Sequence, residues 1–368
     1  MTVRDIEEIL EAWAPKEVAW ERDNVGLQVG SPSKRVRRIL LALDISDSLL
    51  QEAVQKKVDL VITHHPLIFR SLRSVTNSDR AGSLVSGLIR NEIALYSAHT
   101  NLDFTRNGVS YALASALGVR EVKFLSGISG SLKKVAVFVP PEHVDPVAQK
   151  MAGAGAGIIG NYECCSFRTA GTGTFRGMEG AKPFYGKLGR YETAKEVRLE
   201  MIVPRWALQQ TLRAMKESHP YEEVAYDVYP LENENSNYGA GAVGDLPRAM
   251  RLRQFLVHVR RRLSANGIRY TGDPQRRVHR VAVCGGSGSE LLGAALEQNA
   301  DVFVTGDVKY HTFQEAEGNI ALVDAGHYET EQVVLAAVAD KLTKALRDRR
   351  QRLSVLTTKK GTNPIHYF

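Results

Sequence analysis

The chain predicts an α/β protein in which a smaller domain of β-α-β-β-α-β order interrupts a larger one. Short apolar runs alternate with amphipathic helical stretches toward both ends of the sequence, and this alternation is typical of a parallel or mixed sheet covered by helices. In the middle of the chain two strands follow one another between the helices, as they do in ferredoxin-like domains. The length, 368 residues, allows two or three domains.

The first section alternates helices with strands. Ser46 and Asp47 begin one of its helices as N-terminal caps, and Gly118 ends the last one. The predicted helices are residues 3–13, 47–57, 80–91 and 108–117, and the predicted strands are residues 38–43, 59–63 and 93–98.

The middle section begins after a Gly/Ser stretch at residues 126–131, which suits a crossing between domains. Predicted strands lie at 134–139, around 162–169, and at 173–175, 196–203 and 224–229, with helices at 141–152 and 205–218. The polar, glycine-rich residues 231–244 are expected to form an irregular segment that leads out of the inserted domain. The predicted boundaries are therefore 1–128 for the first part of the larger domain, 129–234 for the insert, and 235–368 for the second part.

The last section returns to the alternation of the first. Its predicted helices are residues 251–263, 290–299, 313–318 and 329–347, and its predicted strands are residues 278–284, 302–305 and 320–324.

Composition limits the class of protein. Hydrophobic residues make up 43% of the chain and charged residues 24%, which is ordinary for a globular protein. The net charge of +7 would suit an anionic substrate or nucleic acid, but the basic runs have the spacing of charged helix faces, which disfavours nucleic acid. The N-terminus predicts an acidic amphipathic helix and not a signal peptide, and no apolar run approaches the roughly 20 residues of a membrane span.

Three cysteines, Cys164, Cys165 and Cys284, do not supply a disulfide framework. The adjacent Cys164 and Cys165 are interpreted as a small buried β pair, with a redox role as the alternative. We therefore expect a cytoplasmic protein of a reducing compartment, without a membrane partner.

Polar clusters follow four of the predicted strands. Because the carboxyl ends of parallel strands lie along one edge of a sheet, where ligand sites form, we expect these clusters to converge. They are THHP at 63–66, SAHTNLD at 97–103, TGDVKYH at 305–311 and DAGHYETE at 324–331.

His64 and His65 are adjacent imidazoles at the end of a predicted buried strand. On a regular strand they would point to opposite faces, but a chain that leaves the sheet before Pro66 can turn both toward one crevice. Two neighbouring imidazoles seldom bind the same ion. Two metal ions, one for each histidine, explain the pair.

His327 and Glu331 lie four residues apart at the start of a helix, so both side chains lie on one face. Asp103 supplies a carboxylate that could bridge two ions. Imidazole and carboxylate ligands without cysteine suit Zn²⁺, Mn²⁺, Fe²⁺ or Co²⁺. His99 and His311 are open to three roles: metal ligand, partner of a ligand, or proton donor to a substrate.

Each feature also has a purely structural explanation. Adjacent histidines can be incidental, and a His-x-x-x-Glu spacing can be an ordinary surface pair. All these groups are predicted to lie at strand ends, and this common location favours a metal site over the structural explanations.

The sequence CGGSGSE at residues 284–290 follows a strand and opens a helix. The backbone N–H groups of Gly285, Gly286, Ser287 and Gly288 could hold an anionic group such as a phosphate. The alternative is a tight structural turn, because the segment lacks the Lys-Ser/Thr of a P-loop.

The motifs together resemble the NIF-three-like family. The matching stretches are DNVGLQVG at 23–30, THHP, HTNLD, CGGSG, TGDVKYH, DAGHYETE and the terminal TNPIHYF. The segments HPYEEVAYDVY and GTGTFRG resemble the PII/CutA-like insert of the longer bacterial members. The resemblance implies two similar α/β halves that form one domain with a dinuclear metal site, interrupted by the ferredoxin-like insert, in a toroidal homohexamer.

The same resemblance implies a ligand set. His64 and His327 would bind one ion, His65 and Asp103 the other, and Glu331 would bridge them in place of Asp103. It also implies a GTP cyclohydrolase-like hydrolase, although phosphoester hydrolysis fits the same groups.

Two functions remain open from the sequence. The first is a metal-dependent hydrolase of a nucleotide or related anionic compound, with His99 as the proton shuttle and the Gly285–Gly288 segment holding phosphate. The second is a non-catalytic metal-binding regulator or scaffold whose inserted domain senses an effector. Nucleic-acid binding in a basic lumen is a weaker variant of the second.

Overall fold

The computed structural model describes residues 1–367 and divides the chain into two compact units. Unit 1 joins Met1–Ser126 to the residues from Tyr238 onward, and unit 2 is Gly127–Asn237. Phe368, the last residue of the TNPIHYF motif, lies outside the described residues.

The described residues form twelve α-helices and fifteen β-strands. The α-helices of the described chain are α1 Val3–Glu11, α2 Asp47–Gln55, α3 Arg80–Arg90, α4 Thr100–Asp103, α5 Val109–Ala116, α6 Val144–Gly153, α7 Leu208–Ser218, α8 Leu252–Leu263, α9 Leu292–Glu297, α10 Tyr310–Ala316, α11 His327–Glu331 and α12 Val334–Asp348. The strands are β1 Gly26–Val29, β2 Arg38–Ala42, β3 Leu60–Thr63, β4 Ala94–Ser97, β5 Arg120–Ile128, β6 Leu132–Val139, β7 Phe167–Arg176, β8 Tyr191–Pro204, β9 Tyr226–Leu231, β10 Asn235–Arg251, β11 Arg269–Thr271, β12 Arg277–Val283, β13 Val302–Thr305, β14 Ala321–Asp324 and β15 Ser354–Thr357.

Unit 1 contains two sheets, the first with four adjacent parallel strands and the second with three. The first has the order β1-β4-β3-β2-β15, in which β2, β3 and β4 run parallel, β15 joins β2 in parallel and β1 is antiparallel. The second has the order β11-β14-β13-β12-β10-β5, with β12, β13 and β14 parallel. Strands β3, β13 and β14 are buried along their whole length, which explains their apolar sequences.

The C-terminal segment completes the first sheet. Val338 and Leu342 of α12 pack into the same apolar cluster as Ile39 and Leu41 of β2. The strand that follows, β15, extends that sheet by pairing with β2. The two ends of the chain therefore share one core.

Unit 2 runs in the order β6-α6-β7-β8-α7-β9. Its antiparallel sheet has the strand order β7-β8-β6-β9. One face of the sheet buries Val135, Val137 and Leu199 against Val147 of α6 and Met215 of α7.

The mixed α/β class predicted from the sequence is confirmed, and several element boundaries were wrong. Residues 231–244, expected to be irregular, contribute most of the 17-residue strand β10. The predicted crossing at 126–131 contains the division between the units after Ser126, although β5 continues to Ile128. Glycine and alanine dominate this part of β10 and lower its strand propensity, but the pairing with β12 and β5 overrides it.

Two further predictions were wrong in where one helix or strand ends and the next begins. The strands predicted at 162–169 and 173–175 form the single strand β7. The helix predicted at 329–347 is broken between α11 and α12. Among the described residues, no helix combines the length and the apolar character needed to cross a bilayer.

Candidate metal centre

His64 and His65 occupy the turn that follows β3, as the sequence predicted for the end of a buried strand. Their backbone N–H groups still donate to Ala42 and Leu43, so the chain leaves the sheet only after both histidines. Their ring centroids lie 5.0 Å apart at an angle of 50°. His64 is buried, and the side chain of His65 is 24% exposed.

Each histidine of the cluster is oriented through its Nδ1 atom. His64 Nδ1 donates to the carbonyl oxygen of Ala98 at 2.8 Å. His65 Nδ1 lies 2.9 Å from Asp44 Oδ1, and His327 Nδ1 lies 2.7 Å from Asp307 Oδ2. This arrangement leaves the Nε2 atoms for a ligand and is the one that metal-binding histidines adopt.

The three Nε2 atoms converge on the carboxylate of Glu331. His65 Nε2 lies 3.0 Å from Oε2, while His327 Nε2 and His64 Nε2 lie 3.1 and 3.6 Å from Oε1. His65 and His327, separated by 262 positions, bring their Nε2 atoms within 3.4 Å. His327 and Glu331 lie one turn apart on α11, which explains their common direction.

Asp103 lies on the side of the cluster formed by His64. The short helix α4, which ends at Asp103, follows β4 and places Asp103 Oδ1 3.6 Å from His64 Nε2. His64 and His327 therefore approach one oxygen of Glu331, Oε1, and His65 approaches the other, Oε2. The pairing of His64 with His327, and of His65 with Asp103, that the family resemblance implied stays a prediction.

His99 borders the same cluster. Its ring centroid lies 5.3 Å from that of His64 and 5.6 Å from that of His65. Its Nδ1 atom lies 2.9 Å from Oδ1 of Asp23, whose side chain is only 1% exposed and also accepts from Thr100. His99 is thus oriented by a carboxylate in the same way as His65 and His327.

The side chains form two groups with the spacing of metal ligands among the described residues. His64, His65 and His99 form one, and His65, His327 and Glu331 form the other, with ligand atoms within 4.8 Å of one another in each. Among the described residues, the buried atoms His64 Nε2 and Asp103 Oδ1 have no hydrogen-bond partner. An unpaired buried polar atom costs about 1–3 kcal/mol, so these atoms are suited to a ligand that supplies the missing interactions.

Burial and mutual charge shift the pKa values of these groups. Burial opposes the charged form of His65, but hydrogen bonds to Asp44 and Glu331 raise its pKa to about 10. The hydrogen bond to Glu331 raises the pKa of His327 to about 9 against the effect of burial. Burial raises the pKa of Asp103 to about 6, with His64 opposing it.

The pKa of Glu331 is lowered, in contrast to that of Asp103. Burial would raise its pKa, but the charge of His64 and the hydrogen bonds from the surrounding imidazoles hold the pKa well below its usual range. The cluster therefore keeps a carboxylate at its centre and attracts cations, including protons.

The glycine loop after β12 supports the cluster from one side. Its N–H groups already have hydroxyl acceptors: Gly285 donates to Ser110 at 3.5 Å, Gly286 to Thr330 at 3.0 Å and Gly288 to Thr305 at 3.0 Å. Ser287 is exposed. Anion binding by Gly285, Gly286, Ser287 and Gly288 stays a prediction, and an anion would have to compete with these hydroxyls.

The replacement of Gly286 by alanine is expected to disrupt the centre. Gly286 has φ +63°, and a Cβ atom there would lie 2.2 Å from Glu331 Oε1. A left-handed alanine costs roughly 1–2 kcal/mol, and the displaced carboxylate should weaken binding of divalent metal by about 10-fold or more. Thermal unfolding and a metal titration by calorimetry measure the two effects.

Gly293→Ala is the matched control, because a Cβ atom at Gly293 would meet no neighbour within 4 Å in the part of the chain that the structure describes. In helix α9 that substitution should stabilise the fold by roughly 0.5–1 kcal/mol. Equal metal binding by Gly286→Ala and Gly293→Ala would contradict the role assigned to Gly286.

His311 lies apart from these contacts on α10, where it is exposed and bonds Gln314 at 3.0 Å. The three orienting carboxylates, Asp23, Asp44 and Asp307, were not singled out from the sequence. Two of them follow predicted strands by one or two residues, and Asp23 opens the DNVGLQVG stretch. A search for carboxylates just beyond strand ends could have found two of the three.

Comparisons with known proteins agree over nearly the whole chain. The model of the Duf34/NIF3 (NGG1p interacting factor 3) family matches residues 1–364. A Bacillus subtilis (strain 168) protein named GTP cyclohydrolase 1 type 2 homolog is 40% identical over 367 residues, which are 99% of this chain and 98% of that protein. A Mycobacterium leprae protein of the same name is 38% identical over 344 residues, 92% of this chain and 89% of its own.

Solved structures are similar over the same extent. The crystal structure of a Bacillus cereus protein related to NIF3 has a TM-score of 0.87 at 38% identity and covers 100% of this chain and 99% of that one. A Staphylococcus aureus protein has a TM-score of 0.80 at 28% identity, with the same coverage of both chains.

Proposed function

The chain belongs to the Duf34/NIF3 family, and from this membership and the geometry of the cluster we propose that it binds two divalent metal ions and hydrolyses a nucleotide or a related anionic compound. The observation that carries the proposal is the convergence of His64, His65 and His327 Nε2 atoms on one buried carboxylate, Glu331.

The donor set fits divalent metal ions. Within the described chain, the buried ligand atoms His64 Nε2 and Asp103 Oδ1 lack hydrogen-bond partners, and each imidazole is already held through its other nitrogen. Nitrogen and oxygen donors suit Zn²⁺, Mn²⁺, Fe²⁺ and Co²⁺ alike. The chemistry of the donors therefore supports the ions without selecting one metal.

Two ions account for the division of the cluster better than one. We assign His64 and His327, whose Nε2 atoms approach the same oxygen of Glu331, to the first ion, His65 and Asp103 to the second, and Glu331 to both. Asp103 and Glu331 together bring two negative charges, whereas two divalent ions bring four positive ones. The excess positive charge favours an anionic substrate group.

The ions would lower the pKa of bound water and polarise a phosphoryl or carbonyl oxygen. His99 borders the cluster and is held by Asp23 through Nδ1, which leaves Nε2 able to take up or release a proton. We assign it the transfer of a proton to or from the substrate. The ring of Phe69, centred 6.4 Å from that of His99, shields one side of it.

Two reactions are compatible with these groups. The relatives carry the name GTP cyclohydrolase 1 type 2 homolog, so the hydrolytic opening of the purine ring of GTP is the first to test. Hydrolysis of a phosphodiester places the same demands on the metal ions and on His99.

The experiment compares protein from which a chelator has removed all metal with the same protein reloaded with Zn²⁺, Mn²⁺, Fe²⁺ or Co²⁺. GTP, other nucleotides and bis(p-nitrophenyl) phosphate serve as substrates, and product release is followed by chromatography and absorbance. Metal-dependent turnover that is lost in His65→Ala and kept in His311→Ala supports the proposal. The absence of metal-dependent turnover of every nucleotide and phosphodiester would refute it.

The proposal extends to the organisation of the chain. We propose that residues 1–128 and 235–368 form two similar halves of one metal-binding domain, and that residues 129–234 form a ferredoxin-like, PII/CutA-like insert. The run of adjacent parallel strands in each sheet of unit 1 supports the first part, and the strand order of unit 2 supports the second.

We further propose a toroidal homohexamer in the cytoplasm with the metal sites facing an internal cavity, on the basis of family membership. Light scattering coupled to size exclusion would measure its mass. A mass near that of one 40.6 kDa chain would contradict this assembly.

A further inference from the structure

Unit 2 carries a cavity of about 760 Å³ that shares no residue with the metal centre. Its floor is the face of the sheet that bears Phe138, Glu196 and Arg198, opposite the face that buries Val137 and Leu199. Adjacent strand residues point to opposite faces, which explains the division. A cavity of this volume suits a small organic ligand.

One wall of the cavity is aromatic. The ring centroids of Phe184 and Tyr185 lie 4.7 Å apart, and those of Phe184 and Tyr221 lie 5.9 Å apart. Phe184 is 48% exposed and Tyr185 37% exposed although both rings pack on each other. Such a wall offers apolar surface and π faces to a flat molecule.

The charged lining is predominantly acidic, in contrast to the net charge of +7 of the whole chain. The guanidinium of Arg198 is in addition paired with Glu200, with Nε 2.9 Å from Oε1. The four carboxylates of the lining are Glu179, Glu196, Glu222 and Glu223, and its two guanidinium groups are Arg176 and Arg198. This balance favours a cationic ligand over an anionic one.

Glu196 is the carboxylate placed to contact that cation. The hydroxyl of Tyr221 donates to Oε1 at 3.0 Å, and burial together with Glu196 raises the pKa of Tyr221, so the hydroxyl remains a donor. The other oxygen, Oε2, lies above Gly173, where a Cβ atom would approach it to 2.1 Å. An ionised carboxylate accepts several hydrogen bonds, so Glu196 can also accept from an ammonium group.

Gly171 leaves the floor of the cavity open beside the carboxylate of Glu196. It pairs directly with Glu196 across the two strands, and a Cβ atom there would meet no atom of the described residues within 4 Å. A glycine inside a strand weakens the sheet and often marks a close approach by a ligand. Gly171 therefore leaves space for a ring on the floor of the cavity beside Glu196.

We propose that unit 2 binds a planar aromatic cation in this cavity, with its ring over Gly171 and against Phe184 and Tyr221 and its protonated amine on Glu196. This binding goes beyond the hydrolytic function and does not depend on it. It gives a chemical identity to the effector that the regulatory alternative requires.

Two probes with the same ring and opposite charge test the proposal. Tryptamine carries an ammonium group on an indole, and indole-3-acetate carries a carboxylate on the same ring system. Calorimetric titration of the full chain is expected to show binding of tryptamine and at least 10-fold weaker binding of indole-3-acetate. Glu196→Gln should weaken tryptamine binding by about 10-fold or more, because the charge-assisted hydrogen bond is lost.

Gly171→Val fills the floor and should abolish tryptamine binding while leaving the metal content unchanged. Thr193→Val is the control, since Thr193 is exposed on the face of β8 opposite Glu196 and outside the cavity lining, and it should bind tryptamine like the wild type. Equal affinity for the two probes, unchanged binding by Gly171→Val and Glu196→Gln, or no tryptamine binding at millimolar concentration would each overturn the proposal.

Discussion

Glu331→Gln is expected to abolish the binding of both metal ions at once. The carboxylate of Glu331 reaches the Nε2 atoms of His64, His65 and His327 within 3.6 Å. Glutamine preserves the shape of the side chain but replaces a charged ligand by a neutral amide. Because the loss of a partner of a ligand already costs 10–100-fold in metal affinity, the loss of a shared ligand should cost about 100-fold or more for each ion.

Elemental analysis and calorimetric titration of the chelated protein would measure this loss. Glu315→Gln is the matched control, because Glu315 is an exposed glutamate on α10 with the same chemical change. Retention of two ions per chain by Glu331→Gln, with the affinity of the wild type, is the result that would exclude the shared-ligand role.

The second large effect is a steep rise of metal affinity with pH. The pKa values of about 10 for His65 and about 9 for His327 mean that both imidazoles are protonated at neutral pH before an ion binds. Each of these histidines would hold one of the two ions, so each ion must displace at least one proton. Its apparent affinity should therefore rise about 10-fold or more for each pH unit from pH 6 to 8 and level off above pH 9–10.

The stability of the chelated protein should change in the opposite direction. Both histidines have pKa values above the ordinary value of 6.5. Their protonated forms therefore stabilise the fold fully below about pH 6.5, and this contribution is lost as the pH rises through 9 and 10.

Zn²⁺ titrations against a competing chelator at several pH values would measure the slope. Calorimetry in two buffers of different ionisation enthalpy would count the protons released. Asp307→Asn should reduce the slope, because it removes the carboxylate that helps to raise the pKa of His327. An affinity that stays constant between pH 6 and 8 would show that the imidazoles are already neutral.

The local sequence was sufficient to predict the buried strands that position the site. The apolar runs of β3 and β14 and the polar residues just after them predicted where the chain emerges from a sheet, and His64 and His327 lie at those points. Short-range pattern also predicted the common face of His327 and Glu331, since a separation of four residues is one helical turn.

Local sequence failed where long-range pairing overrides weak propensity. Residues 231–244 are rich in glycine and polar side chains, and nothing in them predicts that they begin the 17-residue strand β10. Their strand conformation depends on partners that the chain supplies elsewhere, in β5 and β12. Strand propensity is a property of such surroundings more than of the residues alone.

The kinds of side chain at the centre, their positions at strand ends and their helical spacing can be read from the sequence, because each depends on neighbours a few residues away. The grouping of His65 with His327 across 262 positions, and the carboxylates of Asp23, Asp44 and Asp307 behind the imidazoles, come from packing between distant segments. No local periodicity encodes those contacts, since they exist only after the sheets have assembled.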